Sequence, residues 1–212
     1  TIHAGEPGAG IPAVRNRIEE AWGARCFDHS GATEVGAYGY TCAEQTGLHL
    51  IESEFIGEVL DPATGQAVPE GDVGELVLTN LGRAGWPVIR DRTGDLVKAG
   101  GHDCACGRTF QMLPGGLIGR ADDLMVVRGI NIYPSSIEAI VRDFDVDEFR
   151  IVRTRQQEME ELVVEVEAVA DVAEALADAF SERLAVRIPT KVVPADSLPR
   201  FELKARRVVD ER

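Results

Sequence analysis

The sequence predicts an α/β chain of two unequal lobes, the first carrying a β-rich subdomain and the second a small α+β unit of the split βαβ, ferredoxin-like kind. Three observations predict it. One amphipathic segment near the start gives way to a long tract of short apolar runs separated by turn residues. The character changes after Pro114-Gly115-Gly116. Beyond it, segments of strand and helix period follow in the order β-α-β-β-α-β. At 212 residues the chain suits one or two domains, and the boundary is placed near Gly119, dividing 1–118 from 119–212.

Taken in order, Val14, Ile18, Ala21 and Trp22 recur at helical spacing between Pro12 and Gly23, which predicts a helix over 12–22. Arg25–His29 reads as a strand entering a small, polar turn, Ser30-Gly31-Ala32-Thr33-Glu34. Apolar runs at 48–52, 57–60, 75–79 and 87–90 predict the strands of the β-rich subdomain, with turns at Asp61-Pro62, Thr64-Gly65 and Glu70-Gly71. In the second lobe, strands are expected at 124–127, 149–153, 162–167 and 191–193. A helix runs from a Ser135/Glu138 capping box through Phe144, and another covers 172–184, where Val172, Leu176, Phe180 and Leu184 share a face.

Composition excludes several classes. Lys and Arg total 22 against 36 Asp and Glu, a net charge of −14, so a broad positive face for nucleic acid is not expected. No run approaches the roughly 20 apolar residues of a membrane span, and Thr1-Ile2-His3-Ala4-Gly5 has no signal-peptide pattern, so the expectation is a cytoplasmic chain with no membrane partner. Four cysteines are too few for a disulfide-built scaffold. Cys42 and His49, with Cys104 and Cys106, could meet across the β subdomain as a closed tetrahedral zinc site; His102 is a rival fourth ligand, and free thiols are the alternative.

Four short motifs carry chemistry. In Ser30–Glu34 a hydroxyl that can donate to phosphate and a carboxylate that can ligate Mg²⁺ stand beside small residues that let a ligand approach the backbone. Arg92-Thr93-Gly94-Asp95 sets a carboxylate after a glycine turn, suited to a vicinal diol such as ribose. Gly119-Arg120-Ala121-Asp122-Asp123 sits at the junction of the lobes, where Arg120 could reach nucleotide oxygens. The tail from Leu198 to Lys204 offers a lysine that could offset charge at phosphorus. Singly, each reads equally as a loop, a surface turn, a charged linker or a fraying tail.

Together and in this order, with Gly5-Glu6-Pro7 and Arg128-Gly129-Ile130-Asn131-Ile132-Tyr133-Pro134, these segments resemble the successive signatures of phenylacetate–CoA ligase-like enzymes of the adenylate-forming superfamily. The resemblance implies the C-terminal part of the large AMP-binding domain followed by a small lid domain, with the phosphate loop and most of the acid pocket upstream of Thr1. It implies that Gly5, Glu6 and Pro7 line the adenine pocket with Ser30, Gly31 and Ala32. Thr33 would contact the α-phosphate, Glu34 would hold Mg²⁺, Asp95 would hold the ribose and Arg120 would assist. Asp122 becomes the hinge, Lys204 the adenylation lysine and Gly129 part of the channel for CoA. Two positions depart from the pattern: Ser30 stands where an aromatic residue often stacks on adenine, and Asp91 where a tyrosine often stands.

The implied reaction joins a small aromatic carboxylic acid to CoA at the expense of ATP, through an acyl-adenylate, with AMP and pyrophosphate released. Transfer to a carrier protein, adenylylation of another acceptor, and a non-catalytic zinc-stapled interaction module are the alternatives. A homodimer is compatible with the sequence.

Overall fold

The computed structural model describes residues 1–5, 7–156, 159–169, 171–201 and 205–212, so Glu6 and Lys204 lie outside the described residues. The chain divides into two compact units, Thr1–Asp122 and Asp123–Arg212, each a mixture of strand and helix.

The first unit begins with strand β1 (Ile2–His3) and helix α1 (Pro12–Trp22), which spans the expected residues, with Pro in its first turn and Gly23 as its stop. Its apolar stripe is not fully buried, and Trp22 is 73% exposed. Glu19 ties the helix down by accepting from the Cys26 amide and from Gln45, each at 2.8 Å. A five-stranded sheet follows, in the order β1-β2-β3-β4-β8, from β2 (Phe27–Ala32), β3 (Gly36–Thr41), β4 (Gly47–Leu50) and β8 (Met112–Pro114). A four-stranded antiparallel sheet has the order β5-β6-β7-β9, from β5 (Phe55–Leu60), β6 (Val73–Asn80), β7 (Asp91–Lys98) and β9 (Leu117–Arg120). Both contribute to one core in which Tyr38, Leu48, Leu50, Leu76, Leu78, Val97 and Leu113 are at most 2% exposed. Each full-sized aliphatic side chain there is worth about 1.5–3 kcal/mol of burial.

Three expectations for this unit are corrected. Ser30, Gly31 and Ala32 are not in a turn but on β2; the turn is confined to Thr33–Val35, because pairing with Gly36–Gly39 of β3 satisfies their backbone. Pro87–Arg90 is not a strand, and the strand begins at Asp91. Consequently Arg92-Thr93-Gly94-Asp95 is no free glycine turn: it lies inside β7, at an irregularity opposite Glu75–Val77.

The second unit contains a hairpin, β10 (Met125–Val127) and β11 (Ile130–Ile132), then α2 (Pro134–Val141), β12 (Glu148–Gln156), β13 (Met159–Glu167), α3 (Val172–Leu184), β14 (Thr190–Val193) and β15 (Val208–Asp210). The element order read from the sequence is present, but the pairing differs from a split βαβ sheet. The four-stranded sheet runs β14-β13-β12-β15, while β10 pairs with β11 outside it. The C-terminal strand, absent from the sequence expectation, takes the edge beside β12 in parallel register. Three residues are too few to stand out as an apolar run. The capping box is likewise not formed: α2 starts on Pro134 with Tyr133 as N-cap and no side-chain cap, and it stops at Val141. Glu138 instead turns to Arg142 and Arg207, each at 3.3 Å. Leu176 and Phe180 of α3 pack on Ile151, Val164 and Val166 of the sheet.

Candidate functional site

In the first unit the motif residues are held by irregular pairing. The β2–β3 ladder shifts between Ser30 and Gly31, so Tyr38 has no partner opposite it; such bulges re-aim a side chain. Tyr38 is 2% exposed, and its phenol interacts electrostatically with Ser30 and Asp95. Burial first, and the Asp95 charge second, push this phenol well above its ordinary value, so it stays a neutral hydroxyl.

Asp95 itself leaves β7 at the second irregularity. Its amide donates to Thr93 Oγ1 at 3.0 Å, and that hydroxyl donates to the Leu76 carbonyl at 2.8 Å. Gly94 has φ +75°, which favours glycine on backbone grounds, and a Cβ there would stand 2.6 Å from Arg120 Nη2 and displace the guanidinium. Arg120 lies over this glycine, donating to the Thr93 carbonyl at 3.3 Å, to Asp95 Oδ1 at 3.5 Å and, through Nε, to Asp122 Oδ1 at 2.9 Å. The guanidinium draws the Asp122 carboxyl below its ordinary value. Asp95, Arg120 and Asp122 are therefore one connected polar chain, with the Tyr38 phenol acting on its Asp95 end.

Glu75, which carried no expectation, is what anchors the irregular segment. Only 4% exposed, it accepts from Arg92 Nε at 2.8 Å and from the Gly94 amide at 3.2 Å. An acid at the head of the apolar run 75–79 was the available signal, since a buried carboxylate is kept only when partnered. The Thr33–Glu34 turn has its own unanticipated supports. Arg83 donates to the carbonyls of Thr33 (3.3 Å) and Glu34 (2.8 Å), and Asn80 donates to that of Val35 (2.8 Å). The Thr33 and Glu34 side chains stay exposed.

The cysteine expectation is met in position. One ligand atom each from Cys42, His49, Cys104 and Cys106 lies within 4.8 Å of the others. Cys42 and Cys104 have their sulfurs 3.8 Å apart, and Cys106 Sγ is 3.6 Å from His49 Nε2. A tetrahedral zinc with Zn–S near 2.3 Å and Zn–N near 2.0–2.1 Å has S···S and S···N edges of about 3.8 and 3.6 Å. His49 is fully buried, its ring stacked on Tyr40, and its Nδ1 is 3.2 Å from the Phe110 carbonyl; donation there leaves Nε2 as a lone-pair donor. His102 is not part of the cluster; its Nδ1 is 2.9 Å from the Thr109 carbonyl and its ring is exposed.

In the second unit, Gly129 occupies the tip of the β10–β11 hairpin. Arg128 (φ +51°) and Gly129 (φ +80°) form its two-residue turn, the form that requires positive φ at both positions. Gly5 and Pro7 lie at the start of the first unit, Pro7 opening a 3₁₀ turn that ends at Gly10. Among the described residues no helix is long and apolar enough to cross a membrane.

Known proteins match this chain along nearly its whole length. Residues 129–212 match the family described as "AMP-binding enzyme C-terminal domain". The phenylacetate-coenzyme A ligase of Thermus thermophilus is 33% identical over 94% of this chain and 51% of its own length. That of Escherichia coli is 30% identical over 94% of this chain and 48% of its own. A crystal structure of 2-hydroxyisobutyryl-CoA ligase in complex with 2-HIB-AMP superposes with a TM-score of 0.90 at 36% identity, covering 100% of this chain and 48% of that one. The chain thus spans about half the length of the relatives it matches. On these grounds it belongs to the phenylacetate–CoA ligase-like branch of the adenylate-forming superfamily, and corresponds to the part that includes the C-terminal domain.

Proposed function

We propose that this chain forms part of an ATP-dependent acid–thiol ligase that activates a carboxylic acid as its acyl-adenylate and passes the acyl group to CoA. The observation that carries the reading is similarity to named CoA ligases across 94% of the chain. In the first half-reaction a carboxylate oxygen attacks the α-phosphorus of ATP and the bond to pyrophosphate breaks. In the second, the CoA thiolate attacks the acyl carbon and AMP departs.

Each residue has a role in this reading. Gly5, Glu6 and Pro7, with Ser30, Gly31 and Ala32, line the adenine side; Gly31 is exposed and has no side chain, so a flat base can approach its backbone. Thr33 donates its hydroxyl to the α-phosphate. Asp95 accepts from the ribose hydroxyls, oriented by Tyr38 and Arg120. Glu34 would hold Mg²⁺, whose charge would offset that of the phosphates. Lys204 offsets the charge that accumulates on the α-phosphoryl oxygens. Residues 119–212 serve as the lid and Asp122 as its hinge, a reading supported by the division of compact units after Asp122. Gly129 lines the CoA channel in the second half-reaction, where a tight turn brings backbone close to a narrow ligand. Cys42, His49, Cys104 and Cys106 hold a structural zinc, a reading supported by the tetrahedral edge lengths and by the absence of any position left for substrate among four protein ligands.

An aryl or arylacetic acid is the substrate favoured by the phenylacetate–CoA ligases. A short hydroxy acid is the second reading, favoured by 36% identity to the 2-hydroxyisobutyryl-CoA ligase. Acid-dependent pyrophosphate release by the full-length protein, with phenylacetate and 2-hydroxyisobutyrate compared, tests both. The reading expects release with one of them, thioester on adding CoA, and a fall of about 100-fold or more in Lys204→Ala, the scale of a lost charge at a transition state. No release with any acid, and no ATP binding, would sink it in favour of the non-catalytic module.

A further inference from the structure

Three successive carbonyls of the Thr33–Val35 turn are taken up by two side chains at the end of the other sheet. Arg83 Nη1 donates to the Thr33 carbonyl at 3.3 Å and to the Glu34 carbonyl at 2.8 Å, and Asn80 Nδ2 donates to the Val35 carbonyl at 2.8 Å. Asn80 is the last residue of β6, and Arg83 follows shortly after it. The two donors are coupled. Asn80 Oδ1 accepts from the amides of Gly82 at 2.9 Å and Arg83 at 2.8 Å, so one amide side chain holds Val35 with its nitrogen and sets the Arg83 backbone with its oxygen. The Leu81 amide donates to the Glu54 carbonyl at 2.8 Å and the Trp86 amide to the Arg83 carbonyl at 3.1 Å, which ties the segment to the β5–β6 hairpin and closes it as a turn. On the receiving side, Val35 is sealed in the core at 0% exposure.

A trans peptide unit turns its N–H away from its C=O, and every peptide bond described is trans. Drawing the Thr33 and Glu34 carbonyls toward Arg83 therefore turns the amides of Glu34 and Val35 the other way. An arginine beside an acid ordinarily forks onto the carboxylate. Arg83 instead bonds the backbone, and among the described residues the exposed Glu34 carboxylate has no ion pair, so it stays open to a cation. Carbonyls of an exposed turn are satisfied by water without help, so ordering two side chains to bind three of them carries an entropic cost that makes sense where the geometry of the turn matters. We propose that Asn80 and Arg83 are positioning residues for nucleotide binding: they hold the carbonyls of the turn back and so present the Thr33 hydroxyl, the Glu34 carboxylate and the amides between them to Mg²⁺ and ATP. This rests on Thr33 and Glu34 being the α-phosphate and Mg²⁺ contacts.

The test uses the full-length protein and reads binding as well as turnover: calorimetric titration with ATP in excess Mg²⁺ and in EDTA, and pyrophosphate release with phenylacetate. Arg83→Gln removes the guanidinium. Asn80→Asp keeps the acceptor for the Gly82 and Arg83 amides and removes the donor to Val35, so the loop stays capped. Both are expected to shrink the gain in ATP affinity on adding Mg²⁺ by about tenfold and to slow pyrophosphate release by about tenfold or more, the scale of a small misplacement of contact groups. Tm should stay within about 3 °C of the parent. One nitrogen makes both Arg83 donations, so the ammonium of Arg83→Lys is expected to recover most of the loss. A merely structural role would lower Tm and both ATP affinities together. Direct contact of Arg83 with a phosphate would weaken ATP binding with and without Mg²⁺ and spare Asn80→Asp. Either result, or no recovery with lysine, overturns the proposal. Thr33→Ala and Glu34→Gln are the controls: if neither changes Mg²⁺-dependent ATP binding or release, the reading of the turn fails and the purpose of its supports with it. If they weaken both while the Asn80 and Arg83 variants match the parent, only the positioning role is wrong.

Discussion

The two units treat a carboxylate on a strand in opposite ways. Asp95, on β7, has a side chain 23% exposed and meets Arg120 at 3.5 Å, at an irregular point of the ladder. Glu167, on β13, has a side chain 1% exposed, meets Arg200 at 2.6 Å and accepts two backbone amides besides, at a regular point of its ladder. A partly exposed acid on a bulged strand is open to a ligand, the role proposed for Asp95. A sealed acid on a straight strand is spent on the protein's own chain. The same residue chemistry is thus left open in one unit and saturated by the protein's own donors in the other, and exposure with local register separates the two.

The comparison can be broken most forcefully at the Cys/His cluster, proposed to staple the first unit as the Arg200–Glu167 and Arg207–Glu148 pairs tie the second. Cys106→Ser is expected to abolish bound zinc and to lower Tm by about 10 °C, at roughly 3 °C per kcal/mol for a chain of this size. Metal analysis with thermal unfolding decides it, and a variant that keeps both the metal content and the Tm of the parent would remove zinc from the account.

Acid titration sharpens the contrast. Arg200, first among the causes, holds the Glu167 carboxyl down to about 2 from an ordinary 4.5. A depressed carboxylate contributes stability that is complete above pH 4.5 and is lost as pH falls through about 2. Urea unfolding across that window should show the wild type losing stability faster than Glu167→Gln, with the two curves converging at the acid end. Parallel curves would show that Glu167 is not tightly bound.

At the exposed acid the effect should fall on ligand rather than on fold. Asp95→Asn is expected to raise KM for ATP about 10- to 100-fold, the loss of a charged hydrogen bond worth about 1.5–3 kcal/mol, with Tm almost unchanged. A large Tm drop with unchanged KM would place Asp95 on the structural side of the comparison. The smallest change is expected from Tyr38→Phe, about 1 kcal/mol for the loss of one buried polar group, read as a small Tm loss with a several-fold rise in KM for ATP. An unchanged KM would detach Tyr38 from the Asp95 network.

Much of this was readable in the chain before any coordinates. Helices 12–22 and 172–184 followed from apolar spacing and were found at those bounds, because a helix is set by neighbours three and four residues away. The Cys42, His49, Cys104 and Cys106 set was also legible, since few residue types can ligate zinc and their number matched one site. Glu75 and Arg83 were not: their partners lie 17 and about 50 residues away, and the one local mark, an acid at the head of the run 75–79, does not name the partner.

By itself the sequence determined the longer helices, the family and the candidate residues, all of which depend on residue identity and short-range order. Only the tertiary structure decided that Ser30–Ala32 lie on a strand, that Asp95 emerges from a bulge, and that β15 rather than β10 completes the second sheet. It also decided that Glu148 faces Glu167. These are matters of register, and a shift of one residue in a ladder exchanges the inward and outward faces without altering a single local preference.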